Sequence, residues 1–498
     1  MEPTAKKEFQ PKYIALNRAQ MGWVELDLEN LVEANHPACT IWELVGKLDL
    51  RPFEQFILSE QDGSGRPCWP PRLLISVWLY AYSMGVASAR AIGRMMPYEP
   101  GLRWLSANQE VNHHTLSDFR IEHWKALKGL FAQVLSVMEK EGLLDLNTLL
   151  QDGTKIQAAA GKQSMHREKT LQEGLKQAKA IVAELNRRAD KELDREEERR
   201  WEVQRRVAAE RVARMKEAVE ELGRRQAQVA ENERPEVRVS QSEPEARKMK
   251  HADGGWAPSY NLQVSTEPKL KAIVSVAVTT DANDTQQLEP AAERFFGMNA
   301  RWPQKVIADN GYASRANVER LSAQDVALIA PWKDEQSRQA GPNKMNGRSQ
   351  EFSGLAFGSD GKDGLLCPAG KRLVKIQTRQ HHGLAEEVYE AQAADCTGCE
   401  SRPQCCGTTA GPRRVQRKLE SQAMNAYLAR MRDPATIALY KLRCAVAEFP
   451  HLILKARWKW TRFSVRGIAK AQTEALWIAL AYNVRRWIGA KANAAAIA

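Results

Sequence analysis

Apolar positions set the first helices of the chain. Behind Pro70-Pro71, where proline is tolerated at a helix start, Leu73, Leu74, Val77, Trp78 and Ala81 recur at helical spacing. Thr115 followed by Asp118 predicts an N-cap with an acid at N3, opening a helix through Phe119, Trp124, Leu127, Phe131 and Val134. Arg90, Arg94, Arg103 and Arg120 dot this region. Two readings stay open for them, a DNA-binding helical domain and an ordinary amphipathic bundle with solvated arginines. No helix-turn-helix spacing decides between the two.

Around Leu144–Ile156 the period shifts, and a strand carrying Asp152 is expected there. From about His166 to Glu233 the chain is dense in Glu, Lys and Arg. Leu171, Leu175, Ala178, Ile181 and Leu185 recur at three and four, as do Val212, Met215, Val219 and Leu222. A break around Arg199–Trp201 predicts a helical hairpin rather than one rod. Such a hairpin can pair within the chain, dimerise, lie along DNA, or form a solvated surface insertion. Pro235 and the run Ser240-Gln241-Ser242-Glu243-Pro244 end it.

Strands are then expected at Tyr260–Ser265 and Ala272–Thr279, joined by a turn at Thr266-Glu267-Pro268-Lys269. A helix from about Leu288 to Phe296 leads to a strand at Lys305–Ala308. A further helix, Arg315–Ala323, leads to a strand at Val326–Ala330. Residues 333–435 read as loop-rich, and helical periodicity returns from Thr436 to the end, interrupted by Pro450.

Length and charge narrow the class. At 498 residues the chain is long enough for roughly three domains. A formal charge of +12 suits a polyanionic partner, although it is a weak vote for nucleic acid. Eight cysteines do not make a disulfide scaffold at this length, and the four within Cys396–Cys406 point to a metal or a reducing compartment. The N-terminus lacks the apolar core of a signal peptide, and Leu73–Val86 is too short to span a bilayer. A soluble cytoplasmic protein is the expectation.

Three acids stand in unusual contexts. Asp152 lies in Leu149-Leu150-Gln151-Asp152-Gly153-Thr154-Lys155, and Asp309 in Val306-Ile307-Ala308-Asp309-Asn310-Gly311-Tyr312. Glu448 ends the run Tyr440-Lys441-Leu442-Arg443-Cys444-Ala445-Val446-Ala447-Glu448. The first two sit at or past the ends of apolar runs of strand length, and the third lies in a helical segment. Carboxylates delivered this way suit hard divalent cations, which take oxygen ligands and leave room for phosphate.

In this order and these contexts, from about Arg66 to Trp487, the chain resembles DDE-type insertion-sequence transposases. Asp-Gly-Thr-Lys matches the family's first acid, Ala-Asp-Asn-Gly-Tyr the second, and Tyr440, Arg443, Glu448 and Lys455 its Tyr–Arg–Glu–Lys signature. The resemblance implies an α/β fold, an RNase H-like mixed sheet with an N-terminal helical domain, a long coiled-coil-like helical insertion and a Cys-rich insertion. The expected boundaries are 1–141 for the helical DNA-binding domain, 142–160 for the first part of the core and 161–254 for the charged insertion. They continue with 255–332 for the second part of the core, 333–435 for the Cys-rich insertion and 436–490 for the C-terminal helices.

On one helix at 100° per residue, Tyr440, Glu448, His451 and Lys455 share about an 80° arc, with Arg443 flanking it. The Arg443-to-Glu448 spacing is one residue longer than in related transposases, and Pro450 is expected to kink the helix just after the glutamate. Asp281 and Asp284 are rival acids, read as structural or indirect. Gly254-Gly255-Trp256 and Tyr260-Asn261 also match the family, read as a turn entering a strand.

Cys396 and Cys399, with Cys367 upstream and Cys405 or Cys406 downstream, resemble a zinc-ribbon-like knuckle; the alternative is a set of reduced thiols. Cys39, Cys68 and Cys444 read as isolated core residues. Between Lys455 and Gly467, cations interleave with aromatics, a pattern that suits DNA phosphates and unpaired bases. Arg457, Arg462 and Arg466 are read as DNA contacts, and Phe463 with Arg466-Gly467 matches a Phe-x-x-Arg-Gly motif of the family. Trp458 and Trp460 are left between stacking on DNA and filling a core.

The resemblance therefore implies two Mg²⁺ (or Mn²⁺) held by Asp152, Asp309 and Glu448, with Tyr440, Arg443, Lys455, Arg457, Arg462 and Arg466 on DNA. It further implies cleavage and strand transfer at terminal inverted repeats, a target duplex, a homodimer on DNA, and a nucleoid-associated location with no membrane partner. A nuclease of the same fold without strand transfer, and an inactive DNA-binding protein, are the alternatives.

Overall fold

The computed structural model describes residues 26–55, 57, 67–188, 195–332, 350–352, 354–381 and 384–497. Its central sheet is built on β1 (Thr148–Gln157), followed in the chain by β2 (Arg247–Lys250), β3 (Trp256–Thr266), β4 (Ile273–Thr279), β5 (Lys305–Ile307) and β6 (Ala327–Ile329). β3 runs antiparallel to β1, with Asp152 opposite Val264. β5 runs parallel to β1, with Leu150 opposite Ile307, and β6 runs parallel to β5. β4 and β2 both pair with the outer edge of β3. With β2 set aside, the strands lie in the order three-two-one-four-five, the mixed arrangement expected of an RNase H-like core.

Alternation along β1 separates two faces. Leu150 joins Ile307, Ile329, Val446 and Ala447 in one buried cluster, so the face that carries Leu150 and Asp152 lies under the C-terminal helices. Leu149, Val306 and Leu328 belong to the main core on the other side. The turn between β3 and β4 is fastened by buried Glu267. Its carboxylate accepts the amides of Leu270 (2.7 Å), Lys269 (2.9 Å) and Ala272 (3.0 Å).

The N-terminal helices include α1 (Pro37–Gly46), α2 (Pro71–Ser83), α3 (His113–Glu122) and α4 (Trp124–Lys140). α2 is buried along nearly its whole length, as an almost uniformly apolar helix must be. The predicted cap at Thr115 is corrected: Asn112 caps α3, accepting the amide of His114 at 2.8 Å. The single helix expected through Trp124 is broken at His123, whose backbone (φ −103, ψ 38) leaves the helical region.

Arg120 resolves one of the open readings. It is buried, and its Nη1 donates to Ala87 O (2.7 Å), Ser464 Oγ (2.8 Å) and Tyr82 Oη (3.3 Å), so it is structural rather than a surface contact.

α5 (Glu168–Arg188) and α6 (Arg195–Gln226) follow β1. They pack on each other within the chain: Leu171 lies against Ala218 and Leu222, and Trp201 Nε1 donates to Leu185 O at 3.0 Å. The break predicted at Arg199–Trp201 falls inside α6, because the charged Arg195–Arg205 segment supports a continuous helix with Glu196–Arg200 pairing at i,i+4.

α7 (Leu288–Asn299) and α8 (Arg315–Ser322) flank β5, as expected. The stretch read as loop-rich instead holds a second sheet of β7 (Gly358–Ser359), β8 (Gly364–Leu366), β9 (Arg372–His381), β10 (Leu384–Ala391) and β11 (Arg414–Lys418), antiparallel in chain order. It has its own small core of Phe352, Phe357, Leu365, Leu373, Tyr389, Cys405, Cys406 and Val415.

α9 (Gln422–Arg432), α10 (Pro434–Lys441), α11 (Arg443–Leu452) and α12 (Ile468–Ile497) complete the described chain. α12 packs on α2, α4 and β4, joining the N-terminal helices and the sheet in one core. Among the described residues, no helix is long and apolar enough to cross a membrane.

Candidate active site

Asp152 sits mid-strand on β1, with its side chain only 13% exposed. Asp309 follows the end of β5, in a turn where its Oδ1 accepts the amide of Gly311 at 2.8 Å. A Cβ at Gly311 would crowd Asp309 Oδ1 at 3.0 Å, so a larger residue there would press on the carboxylate. The motif's Tyr312 is fully buried, and its hydroxyl donates to Gln263 Oε1 at 2.7 Å. Glu448 comes from α11, which is anchored to the sheet by Val446 and Ala447. It is the most open of the three acids, at 59% exposed.

One guanidinium gathers all three. Arg443 Nη2 lies 3.0 Å from Asp152 Oδ1 and 3.7 Å from Asp309 Oδ2, and Nη1 lies 4.0 Å from Glu448 Oε1. On the other side of Asp152, His451 Nε2 lies 3.5 Å from Oδ2. Pro450 is accommodated within α11, and the helix then widens into a π turn, Ile453–Arg457, where Trp458 N donates to Ile453 O at 2.9 Å. This turn brings Lys455 onto β1, where Nζ donates to Thr154 Oγ1 and to Lys155 O (3.1 Å).

Burial sets the electrostatics. It pushes the Asp152 carboxyl up to about 6, against the opposing pull of Arg443. Burial pushes His451 down to about 3, helped by the charges of Lys455 and Arg443, so its ring is neutral. Lys455 and Lys155 are also held below the usual lysine range by burial, opposed by Asp152 and Asp284 respectively.

Two stretches of the chain match known families. Residues 26–122, spanning α1 to α3, match the Transposase domain (DUF772) family. Residues 366–488, which include Tyr440, Arg443, Glu448 and Lys455, match the Transposase DDE domain family. The chain is a relative of the DDE-type insertion-sequence transposases. No curated protein and no solved structure matches it.

DDE transposases use divalent metals, and the donor set here suits them. The three carboxylates of this transposase relative converge on a positive group, and oxygen donors are what hard divalent cations take. As they stand around Arg443, no three His, Cys, Asp or Glu side chains among the described residues are close enough together to hold an ion.

The remaining expected contacts divide by exposure. Arg457, Arg462 and Arg466 are exposed, and Arg462 Nη2 donates to Gln157 Oε1 at 2.8 Å. Residues Thr461–Phe463 run parallel to the end of β1 and pair with it: Gln157 N donates to Thr461 O, and Phe463 N to Gln157 O. Trp458, Trp460 and Phe463 are buried in the main core, which decides their reading in favour of packing. Tyr440 is half-buried against the Leu150 cluster.

Cys367, Cys396, Cys399, Cys405 and Cys406 line one pocket on the second sheet. Burial, with the neighbouring thiols of Cys406 and Cys396, pushes the Cys405 thiol up to about 11, although Arg413 opposes this. Of the three cysteines expected in the core, only Cys39 is buried. Cys68 and Cys444 are exposed, Cys444 because it lies on the outward side of α11.

Beneath the acids runs a polar network that motif reading missed. Gln151 Nε2 donates to Gln263 Oε1 (2.8 Å), and Ser265 Oγ to Gln151 Oε1 (2.6 Å). Gln263 Nε2 and Asn261 Nδ2 each donate to Asp284 Oδ1 at 2.7 Å. Asp284 also lies 3.8 Å from Lys155, which supports the indirect role expected for it. Asp281 accepts Gln287 Nε2 at 2.6 Å, beside the loop. Alternating polar residues on β3 were the available signal.

Gly153 explains the glycine after the first acid. A Cβ there would lie 2.5 Å from Gln263 Nε2 and 2.6 Å from Asp284 Oδ1, which are bonded to each other. Gly153→Ala is expected to destabilise the fold by about 1–3 kcal/mol through this overpacking. The shift in the urea midpoint checks it.

Proposed function

We propose that the chain binds the ends of an insertion sequence and catalyses DNA cleavage and strand transfer. The observation that carries this reading is the meeting of Asp152, Asp309 and Glu448 around Arg443, within 4.0 Å of one guanidinium. On this reading, the three acids would hold two Mg²⁺ or Mn²⁺, and the ions would supply a deprotonated nucleophile and neutralise the leaving oxygen.

The chain's own groups position the DNA. With metal held by the acids, the charge of Arg443, which now faces all three carboxylates, would be available to a phosphate. Tyr440 and Lys455 flank the same face, and exposed Arg457, Arg462 and Arg466 hold the backbone further out. The N-terminal helices recognise the terminal inverted repeats, and two protomers pair on DNA because two ends must be joined to one target. The protein acts at the nucleoid, in the cytoplasm.

The test offers duplexes bearing the ends that flank its own gene, with Mg²⁺, to wild type and Glu448→Gln. Boundary cuts and joined products that vanish in Glu448→Gln are expected. Cutting without joining would favour a nuclease of the same fold, and binding without cutting an inactive DNA-binding protein.

For the second sheet, the proposal is a structural zinc held by Cys367, Cys396, Cys399 and Cys405. Supporting it, these cysteines line one pocket, where their thiols would have to draw closer to hold an ion, and Lys371 N donates to Cys367 Sγ at 3.2 Å, an amide–thiol bond of the kind that orients a ligand. About one zinc per chain is expected on elemental analysis, and its loss in Cys396→Ser. Zinc-free wild-type protein of unchanged stability would remove the proposal.

A further inference from the structure

His451 is the least explained polar group near the acids. Its side chain is only 11% exposed, yet neither ring nitrogen has a hydrogen-bond partner among the described residues. Nε2 lies 3.5 Å from Asp152 Oδ2 without forming a hydrogen bond. Buried nitrogens left unpaired cost free energy, and in a native site they call for a group that satisfies them. The π turn that starts two residues later is a local irregularity of a kind often found at functional sites.

The surroundings narrow what that group is. Lys455 and Arg443 are the cations closest in effect, and both already have oxygen partners on β1. A lone pair aimed beside a carboxylate oxygen at 3.5 Å suits an ion that binds both, because two donors at about 2.1 Å each can span that gap. An imidazole whose only role was packing would be replaceable by a phenyl ring.

Resting on the three-acid reading, we propose that His451 is a nitrogen ligand to the metal that Asp152 holds, making that site a mixed nitrogen–oxygen one. The second metal position, toward Glu448, keeps oxygen donors. A nitrogen in the set biases the first position toward first-row ions over Mg²⁺, which takes oxygen.

The experiment uses the full chain loaded with Mn²⁺ and reads nitrogen coupling by pulsed electron paramagnetic resonance, beside Mn²⁺ and Mg²⁺ titrations by calorimetry. Wild type is expected to show ¹⁴N coupling from one imidazole. His451→Phe and His451→Gln, each first checked for folding by circular dichroism without metal, lose the coupling. Their preference for Mn²⁺ over Mg²⁺ falls by on the order of tenfold. Absent coupling in wild type, or coupling that persists in both variants, overturns the assignment. If Asp152→Asn abolishes Mn²⁺ binding in that case, the acid site stands without His451. Failure of wild type to bind Mn²⁺, with and without DNA, overturns both.

Discussion

Asp152→Asn is expected to lower the rate of strand cleavage by on the order of 10³-fold while leaving DNA affinity within a few-fold of wild type. The substitution keeps the shape of the side chain but removes the charge that faces Arg443 at 3.0 Å and, on the proposed reading, the metal. Arg457, Arg462 and Arg466 are exposed and remain on the surface, so phosphate binding persists. Burial already disfavours the charged carboxylate, so the metal-free variant is expected to be at least as stable as wild type at neutral pH. Thermal unfolding without metal separates lost chemistry from lost fold. Cleavage at the wild-type rate would remove Asp152 from the site.

Trp477→Ala is the second large effect. The indole is buried on α12, its Nε1 donates to Arg120 O at 3.0 Å, and its ring lies 6.3 Å from Phe119. Truncation leaves a large cavity and an unpaired carbonyl, for an expected loss of about 3–5 kcal/mol. Because α12 touches both α2 and β4, the N-terminal helices and the sheet are expected to lose stability together. Urea unfolding followed by far-ultraviolet circular dichroism would show one shifted transition. A transition split in two, with only the helical part shifted, would make the N-terminal helices an independent unit.

Five strands of the six-stranded central sheet were legible from short runs of apolar residues, one holding Asp152 and one leading to Asp309, whereas β2, charged at Arg247, Lys248 and Lys250, was not. The second sheet was not legible. β9 carries Arg372, Lys375, Gln377, Arg379 and Gln380 among its apolar residues, and among its described side chains only Leu373 is fully buried, so no clean alternation marks it. Trp458 and Trp460 were ambiguous for a related reason: their cationic neighbours point outward while the rings point in, and local composition reports only the former. His451 stood on the correct arc by periodicity, but its burial follows from how α11 lies on β1, which no local pattern encodes. The hairpin break was misplaced because Arg195–Arg205 lacks apolar periodicity, and its helix is held instead by charge pairs and by Trp201 on α5.

The route of the chain orders events during synthesis. The strand beside β1, β3, comes only after α5 and α6 have emerged, and the helix that covers the acid-bearing face, α11, follows later still. Until α11 is made, Asp152 lacks Arg443 and Asp309 lacks the third acid. On the proposed reading, a nascent chain that stops short of α11 therefore has no complete centre with which to cut the DNA around it. On that reading α11 arms the protein, so a frameshift upstream of Arg443 yields a disarmed product rather than an unregulated one.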